Sequence, residues 1–362
     1  MTGLKRGREL GLPFAGKPGP FNAITDVAGV EVGTTTLISG EGPLIVGKGP
    51  IRTGVTAILP RGRAKAHFPC AAGYYAFNGN GEMTGVVWIE ECGELQTPIT
   101  ITNTHSCGVT RDATIRWMVA NEIGIGQDWN LPVAAETYDG LLNDINGFHI
   151  TAEHTTAALD AARDGAVELG SVGGGTGMIC YDFKAGNGSS SREIKIDGQK
   201  YSVGVFVQAN FGAREQMTVL GVPVGLHIKA DKLRGRDQGS VIAIAATDAP
   251  LQPQQLKRLA RRVPMGLART GAVGNNSSGD IFLAFSTANE QAYETGGAKL
   301  RNASFLRNDA IDPIFNAVVE ATEEAVIESM VCNQTMVGRD GNTSHALPLD
   351  QVMALMKKYG RL

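Results

Sequence analysis

One apolar run, residues 240–246, constrains the fold more than any other segment of the chain. A short, continuous apolar stretch of this kind is typical of a buried strand. The polar, glycine-containing residues 230–239 precede it and predict an exposed loop. Further upstream, residues 192–207 predict a hairpin, because alternating side chains flank a two-residue turn at Asp197 and Gly198. A hairpin, a loop and a buried strand therefore follow one another in the middle of the chain.

Strands and helices occur in two blocks on either side of this region. About the first 105 residues contain short apolar segments separated by glycines, which indicates strands and turns. Helical spacing and capping residues predict helices at 109–122, 151–169, 313–331 and 350–359, and one that opens at Pro253. Asp350 is the expected N-cap of the last helix, and residues 281–286 predict a second buried strand. Strands followed by helices in two blocks predict a layered α/β or α+β protein.

Composition excludes several classes of protein. A hydrophobic content of 43% is too high for a disordered chain, and a net charge of −3 without a basic stripe argues against nucleic acid as a partner. No apolar run approaches the length of a membrane span. Glu9, Gly11 and Pro13 interrupt any signal-peptide core, so we expect a cytoplasmic protein. The 47 glycines and a charged content of only 19% suggest close backbone packing and surface hidden in an oligomer.

Familiar motifs of metal, phosphate and hydrolase sites are missing from the sequence. The five cysteines include no CxxC pair, so we expect buried thiols rather than disulfides or a zinc site. The six histidines never fall in HExxH spacing, and we expect neither metal nor cofactor, although spacing alone leaves open a metal site assembled from distant residues. No GxSxG motif occurs. The glycine run at 170–177 follows a predicted helix rather than a strand, and we expect a structural loop there.

Polar residues beside the apolar strands are the remaining candidates for chemistry. Asn210 lies where the predicted hairpin ends, Ser240 opens the buried strand, and Ser278 and Asp280 directly precede residues 281–286. Polar groups at strand ends are commonly turn formers with satisfied hydrogen bonds. The residues by themselves therefore leave both a catalytic and a structural role open.

The order of short motifs along the chain resembles the L-aminopeptidase/D-esterase family, which includes the β-peptidyl aminopeptidases. The resemblance covers nearly the whole length, and no single motif carries it. The matching segments are NAITDV at 22–27, NGNGEMTG at 78–85, AETYDG at 135–140, GGGTGM at 173–178, QANFG at 208–212, GS at 239–240 and ATDAPL at 246–251.

The resemblance implies a self-processing serine hydrolase. The expected fold is a single αββα sandwich over residues 1–362, layered like the N-terminal nucleophile hydrolases but differently connected. The chain is expected to cut itself between Gly239 and Ser240 into fragments 1–239 and 240–362, and to assemble as a homotetramer of processed heterodimers. Cleavage frees the α-amine of Ser240, whose intrinsic pKa of about 7.7–8.0 suits a base that activates the hydroxyl. Gly239, without a Cβ, permits an unusual backbone before the cut.

The resemblance also assigns roles to other residues. Asn210 and Tyr138 would stabilise the oxyanion, and Glu136 would bind the free ammonium of the substrate. Ser278 and Asp280 match the serine and acid that support the nucleophile. Better-known members carry Glu at the position of Asp280, so the side chain here is shorter by roughly 1.5 Å.

The expected activity is removal of N-terminal residues from short peptides, amides or esters that carry a free amine. Small L-residues, D-residue esters or amides and N-terminal β-amino acids all remain open as substrates. Acyl transfer is a second reading, because the distantly related ornithine acetyltransferases also self-cleave, but they use threonine where this chain has Ser240. A third reading is a catalytically silent binding protein, and intact Ser240, Asn210 and Ser278 argue against it.

Overall fold

The computed structural model describes residues 4–66, 68–123, 129–229, 231–234, 239–294 and 297–362. The strands are β1 Glu31–Ser39, β2 Ile51–Leu59, β3 Cys70–Ala76, β4 Glu94–Leu95, β5 Ile99–Asn103, β6 Val133–Thr137, β7 Ile179–Cys180, β8 Phe183–Lys184, β9 Asn187–Ile196, β10 Gln199–Asn210, β11 Ser240–Thr247, β12 Ile281–Ser286, β13 Met336–Val337 and β14 Thr343–Ser344. The α-helices are α1 Val86–Cys92, α2 Cys107–Ala120, α3 Ala152–Asp160, α4 Val224–His227, α5 Pro253–Ala260, α6 Val263–Arg269, α7 Glu290–Tyr293, α8 Asp312–Val331 and α9 Leu349–Lys358.

Two main sheets organise the described chain. One has four strands in the order β1-β2-β5-β6, and the other has six in the order β4-β3-β12-β11-β10-β9. Within the six-stranded sheet, β11 is antiparallel to β10 and parallel to β12. The register places Asn210, the last residue of β10, opposite Ser240, the first residue of β11. Two candidate site residues are therefore neighbours at one end of the sheet.

The apolar side chains separate into three layers. Ile58 and Ile99 of the four-stranded sheet pack with Phe206 and Ile242 of the six-stranded sheet, which forms a core between the two sheets. Helices α2 and α3 cover the outer face of the four-stranded sheet, and α5 and α8 cover that of the six-stranded sheet. The order helix, sheet, sheet, helix confirms the expected αββα layering.

Strand β11 shows why an apolar run constrained the fold. Every residue from Ser240 to Thr247 is buried. Ile242 and Ile244 face the core between the sheets, whereas Val241 and Ala243 face the helix layer. Because both faces of the strand are covered, no polar alternation is needed along it.

The predicted hairpin is confirmed as β9 and β10. Asp197 and Gly198 connect the strands with φ angles of 49° and 81°. Two successive residues with positive φ form the type I′ turn, whose twist matches that of the flanking strands.

Three helix predictions are wrong in detail. The helix expected over 151–169 ends at Asp160, because Arg163 exchanges two backbone hydrogen bonds with Val32 of β1 and so leaves the helical path. Asp350 is not an N-cap: Pro348 occupies that position, and Asp350 lies in the first turn, where its negative charge still favours the helix dipole. The helix expected over 109–122 is displaced by two residues at each end.

The structural loop expected at the glycine run is confirmed. The glycine run contains a short, buried 3₁₀ helix at Gly173–Gly175, where a Cβ on Gly174 would overlap the side chain of Gln208. The cysteines are free thiols, and all are buried except Cys92, which is half-buried. Of the predicted loop at 230–239, residue 230 and residues 235–238 lie outside the described residues. In the part of the chain that the structure describes, no helix is both long and apolar enough to cross a membrane.

Candidate active site

Ser240 is held at the start of β11 by the loop that precedes β12. Its side chain is buried, and its Oγ accepts a hydrogen bond from the backbone N–H of Gly279 at 3.0 Å. The residue before it, Gly239, lies so close to the carbonyl oxygen of Asn210 that any Cβ would overlap that atom. Glycine is therefore needed at position 239 because of a close backbone approach.

Ser278 and Asp280 flank Gly279 and contact each other. The Ser278 hydroxyl donates to Asp280 Oδ1 at 2.6 Å, and the backbone N–H of Val241 donates to the same oxygen at 3.1 Å. Both side chains are buried. Asp280 has one methylene fewer than the Glu of better-known members, yet its carboxylate still accepts a hydrogen bond from Val241, the residue after Ser240.

Asn78 completes this arrangement and was not singled out for a role from sequence. Its Nδ2 donates to Asp280 Oδ2 at 3.0 Å, and its Oδ1 accepts from the backbone N–H of Asp280 at 2.6 Å. These two bonds join Asn78 to both the side chain and the backbone of Asp280. The signal available in the sequence was the polar NGNG segment that begins at this residue, directly after β3.

Asn210 has polar contacts at both ends of its amide. Oδ1 accepts from the backbone N–H of Ile179 at 2.9 Å and from the Arg234 guanidinium at 2.7 Å. Nδ2 donates to the backbone carbonyl of Tyr138 at 2.7 Å. The structure therefore brings Asn210 and Tyr138 together through the Tyr138 backbone, whereas the Tyr138 ring is 39% exposed and packs against Gly140.

Glu136 lies on β6, only 2% exposed. Its Oε1 accepts from the backbone N–H of Glu82 at 3.0 Å, and its Oε2 accepts from the Thr104 hydroxyl. Burial raises the pKa of this carboxyl, and the hydrogen bond from Thr104 opposes the rise. A Cβ built on Gly81 would lie 3.1 Å from Oε1 and 3.2 Å from the Cα of Gly279. Only a glycine therefore separates Glu136 from the loop that holds Ser240.

The site is thus a buried serine beside a hydroxyl–carboxylate pair, with an amide on one side and a second carboxylate on another. The structure brings five of the predicted site residues together at the start of β11: Gly239, Ser240, Asn210, Ser278 and Asp280. Tyr138 contacts Asn210 through its backbone carbonyl, and Gly81 lies between Glu136 and Gly279. Within the described residues, no group of three or more His, Cys, Asp or Glu side chains is arranged to hold a metal ion.

Known proteins are similar to this chain in sequence and in fold. Residues 22–344 match the model of peptidase family S58. The beta-peptidyl aminopeptidase BapA of Sphingosinicella microcystinivorans is 50% identical, over 99% of this chain and 93% of its own.

Two solved structures are similar over almost the full length. The L-aminopeptidase D-Ala-esterase/amidase from Ochrobactrum anthropi, described as a prototype for the serine aminopeptidases with a new variant of the Ntn hydrolase fold, superposes with a TM-score of 0.93 at 44% identity, covering 99% of each chain. A beta-aminopeptidase from Burkholderia sp. superposes with a TM-score of 0.90 at 44% identity, covering 98% of this chain and 99% of its own. On sequence and fold together, the chain belongs to peptidase family S58.

Proposed function

We propose that this aminopeptidase activates itself by cutting the bond between Gly239 and Ser240. The observation that carries the proposal is the placement of Ser240 Oγ, which is held by Gly279 N–H beside the Ser278–Asp280 pair. The close approach of Gly239 to the Asn210 backbone supports it, because it fixes the position of the peptide that is cut.

The cut is an acyl shift followed by hydrolysis. Ser240 Oγ loses its proton and bonds to the carbonyl carbon of Gly239, while the C–N bond to Ser240 breaks and the nitrogen gains a proton. Water then hydrolyses this ester, which leaves a carboxylate on Gly239 and restores the Ser240 hydroxyl beside a free α-amine. Because β10 pairs with β11 and β3 pairs with β12, hydrogen bonds within one sheet join the fragments 1–239 and 240–362, which stay one folded unit.

In the processed enzyme, the free α-amine of Ser240 is the base that activates the hydroxyl, since its intrinsic pKa of about 7.7–8.0 lies near neutral pH. Ser278 and Asp280 orient the hydroxyl and the amine. The side-chain NH₂ of Asn210 donates to the oxyanion, and the removal of one such donor typically costs about 3–4 kcal/mol of transition-state stabilisation. Tyr138 supports this site through its carbonyl contact with Asn210.

The substrate is proposed to be a short peptide, amide or ester with a free N-terminal ammonium, which Glu136 binds. Burial strengthens an ion pair at this carboxylate, because the local dielectric is low. The names of the 50%-identical relative and of the Burkholderia enzyme favour N-terminal β-amino acids as the preferred residue. Matched β- and α-aminoacyl p-nitroanilides, compared by kcat/KM, test this preference.

Replacement of the nucleophile tests the function itself. Ser240→Ala is expected to stay uncut and to lose hydrolysis, whereas full activity in this variant would refute the proposal.

Acyl transfer to added amines is the second reading, and the ratio of aminolysis to hydrolysis products measures it.

We further propose a cytoplasmic homotetramer. Free cysteines support the compartment, and exposed apolar side chains such as Val87 and Leu300 support assembly, which sedimentation tests.

A further inference from the structure

The guanidinium of Arg234 is buried next to the proposed scissile bond. Arg234 is 7% exposed, and its Nη2 donates to Asn210 Oδ1 at 2.7 Å. Its Nη1 lies 3.0 Å from the position that a Cβ on Gly239 would take. The cation therefore sits between the side chain of Asn210 and the residue whose carbonyl is attacked.

This contact determines which way the Asn210 amide points. Oδ1 faces two donors, the backbone N–H of Ile179 and the guanidinium of Arg234, while Nδ2 faces the Tyr138 carbonyl oxygen. A flipped amide would place its NH₂ against two donors and its oxygen against a carbonyl, which is unfavourable at every contact. Arg234 thus helps to fix the orientation of the NH₂ group that is proposed to stabilise the oxyanion.

The turn between β7 and β8 holds Arg234 in place. Its two residues, Tyr181 and Asp182, have φ angles of 50° and 62°, the pair of positive φ angles that a type I′ hairpin turn requires. Arg214 donates to the carbonyls of both residues, at 2.7 and 2.6 Å. The carboxylate of Asp182 accepts the backbone N–H of Arg234 at 2.7 Å. The turn therefore places the Asp182 carboxylate where it binds the backbone of Arg234.

We propose that Arg234 is a positioning residue for self-cleavage, acting through Asn210, and that Asp182 holds Arg234 for this task. The inference rests on the proposed cut between Gly239 and Ser240. Negative charge develops on the Gly239 carbonyl oxygen during the attack, and a nearby buried cation and a fixed amide both favour it. Arg234 precedes the scissile bond in the chain and therefore belongs to fragment 1–239.

The experiment follows the loss of the uncut chain by denatured mass in freshly purified protein. Arg234→Ala is expected to slow cleavage by about tenfold to a hundredfold, toward the range seen when an oxyanion donor is lost. Millimolar ethylguanidinium should restore the cleavage rate in this variant, and ethylammonium should not. Only the planar guanidinium group replaces the N–H donors that the variant has lost. Arg116→Ala, at an exposed position on α2, is the matched control and should cut at the wild-type rate in either solution.

The outcomes separate this inference from the proposed function. If wild type itself never cuts, the self-cleavage proposal fails and the inference fails with it. If wild type cuts and folded Arg234→Ala cuts equally fast, the role of Arg234 is overturned. A slow variant that ethylguanidinium does not rescue also overturns it, because a general structural role would then explain the loss. Should Arg234→Ala not fold, Arg234→Lys applies the same test, with slower cleavage expected and a wild-type rate contradicting the role.

Discussion

The backbone N–H of Gly279 donates a hydrogen bond to the hydroxyl oxygen of Ser240 at 3.0 Å. The residues on either side of Gly279 form the Ser278–Asp280 hydrogen bond. Three consecutive residues thus place an amide, a hydroxyl and a carboxylate around the start of β11. Because β12 begins directly after them and pairs with β11, the sheet fixes this loop relative to the nucleophile.

Asp280→Asn is expected to lower kcat/KM by about a hundredfold and to slow self-cleavage. The carboxylate accepts from Ser278, from the Val241 N–H and from Asn78, and an amide would turn its NH₂ toward one of these donors. Asp280→Glu keeps the charge and should retain more activity than Asp280→Asn. Equal losses in the two variants would indicate that packing, and not charge, determines the effect.

Glu136→Gln is expected to raise KM for substrates with a free amine by about ten- to a hundredfold, because a hydrogen bond to a charged partner is worth about 1.5–3 kcal/mol. The Thr104 hydroxyl can reverse its hydrogen bond, so the variant should fold. Glu82→Gln, which alters the neighbouring side chain, is the control and should change KM less. An unchanged KM with a reduced kcat would argue against ammonium binding at Glu136.

Gly239→Ala is expected to prevent normal self-cleavage, because the new methyl group would overlap the Asn210 carbonyl oxygen and displace the peptide. Gly108→Ala is the matched control, since a Cβ there meets no neighbouring atom within 4 Å. Denatured mass after expression measures both variants. Cleavage of Gly239→Ala at the wild-type rate would show that this close approach is irrelevant to the cut.

The contribution of Asp139 and Glu328 to stability should fall as pH rises from about 5 to about 8. Burial raises the pKa of Asp139 to about 7 and that of Glu328 to about 7. Between the unfolded pKa values of about 4 and this value, the folded state binds more protons than the unfolded state, so deprotonation favours unfolding. Each group contributes on the order of 2 kcal/mol to the loss.

Asp139→Asn removes one of these titrations and tests the origin of the pH dependence. Burial is the main cause of its raised pKa, and the hydrogen bond from Asn143 to its Oδ1 at 3.0 Å opposes the rise. Urea unfolding at pH 5 and pH 8 should show a smaller difference in the variant than in wild type. An identical difference in the two proteins would place the titrating groups elsewhere.

The sequence predicted the elements whose structure depends on residues close to one another along the chain. The Asp197–Gly198 turn and β12 were found because turn chemistry and a short apolar run determine them. The end of α3 was missed, since it depends on backbone pairing between Arg163 and Val32, far apart in sequence.

The same distinction applies to the site. The positions of Ser240 and Asn210 at strand ends made them candidates, and the resemblance to a family supplied their roles and added Glu136. Asn78 was not assigned a role, because its bond to Asp280 joins residues 202 positions apart and depends on the pairing of β3 with β12. No local pattern encodes such a contact.

The mass of the denatured protein, followed over hours after purification beside Ser240→Ala, shows whether the chain cuts itself before Ser240. We expect two species from wild type, corresponding to residues 1–239 and 240–362, with a free α-amine on Ser240, and one uncut species from the variant. A single stable species of all 362 residues that still hydrolyses aminoacyl substrates would contradict this expectation.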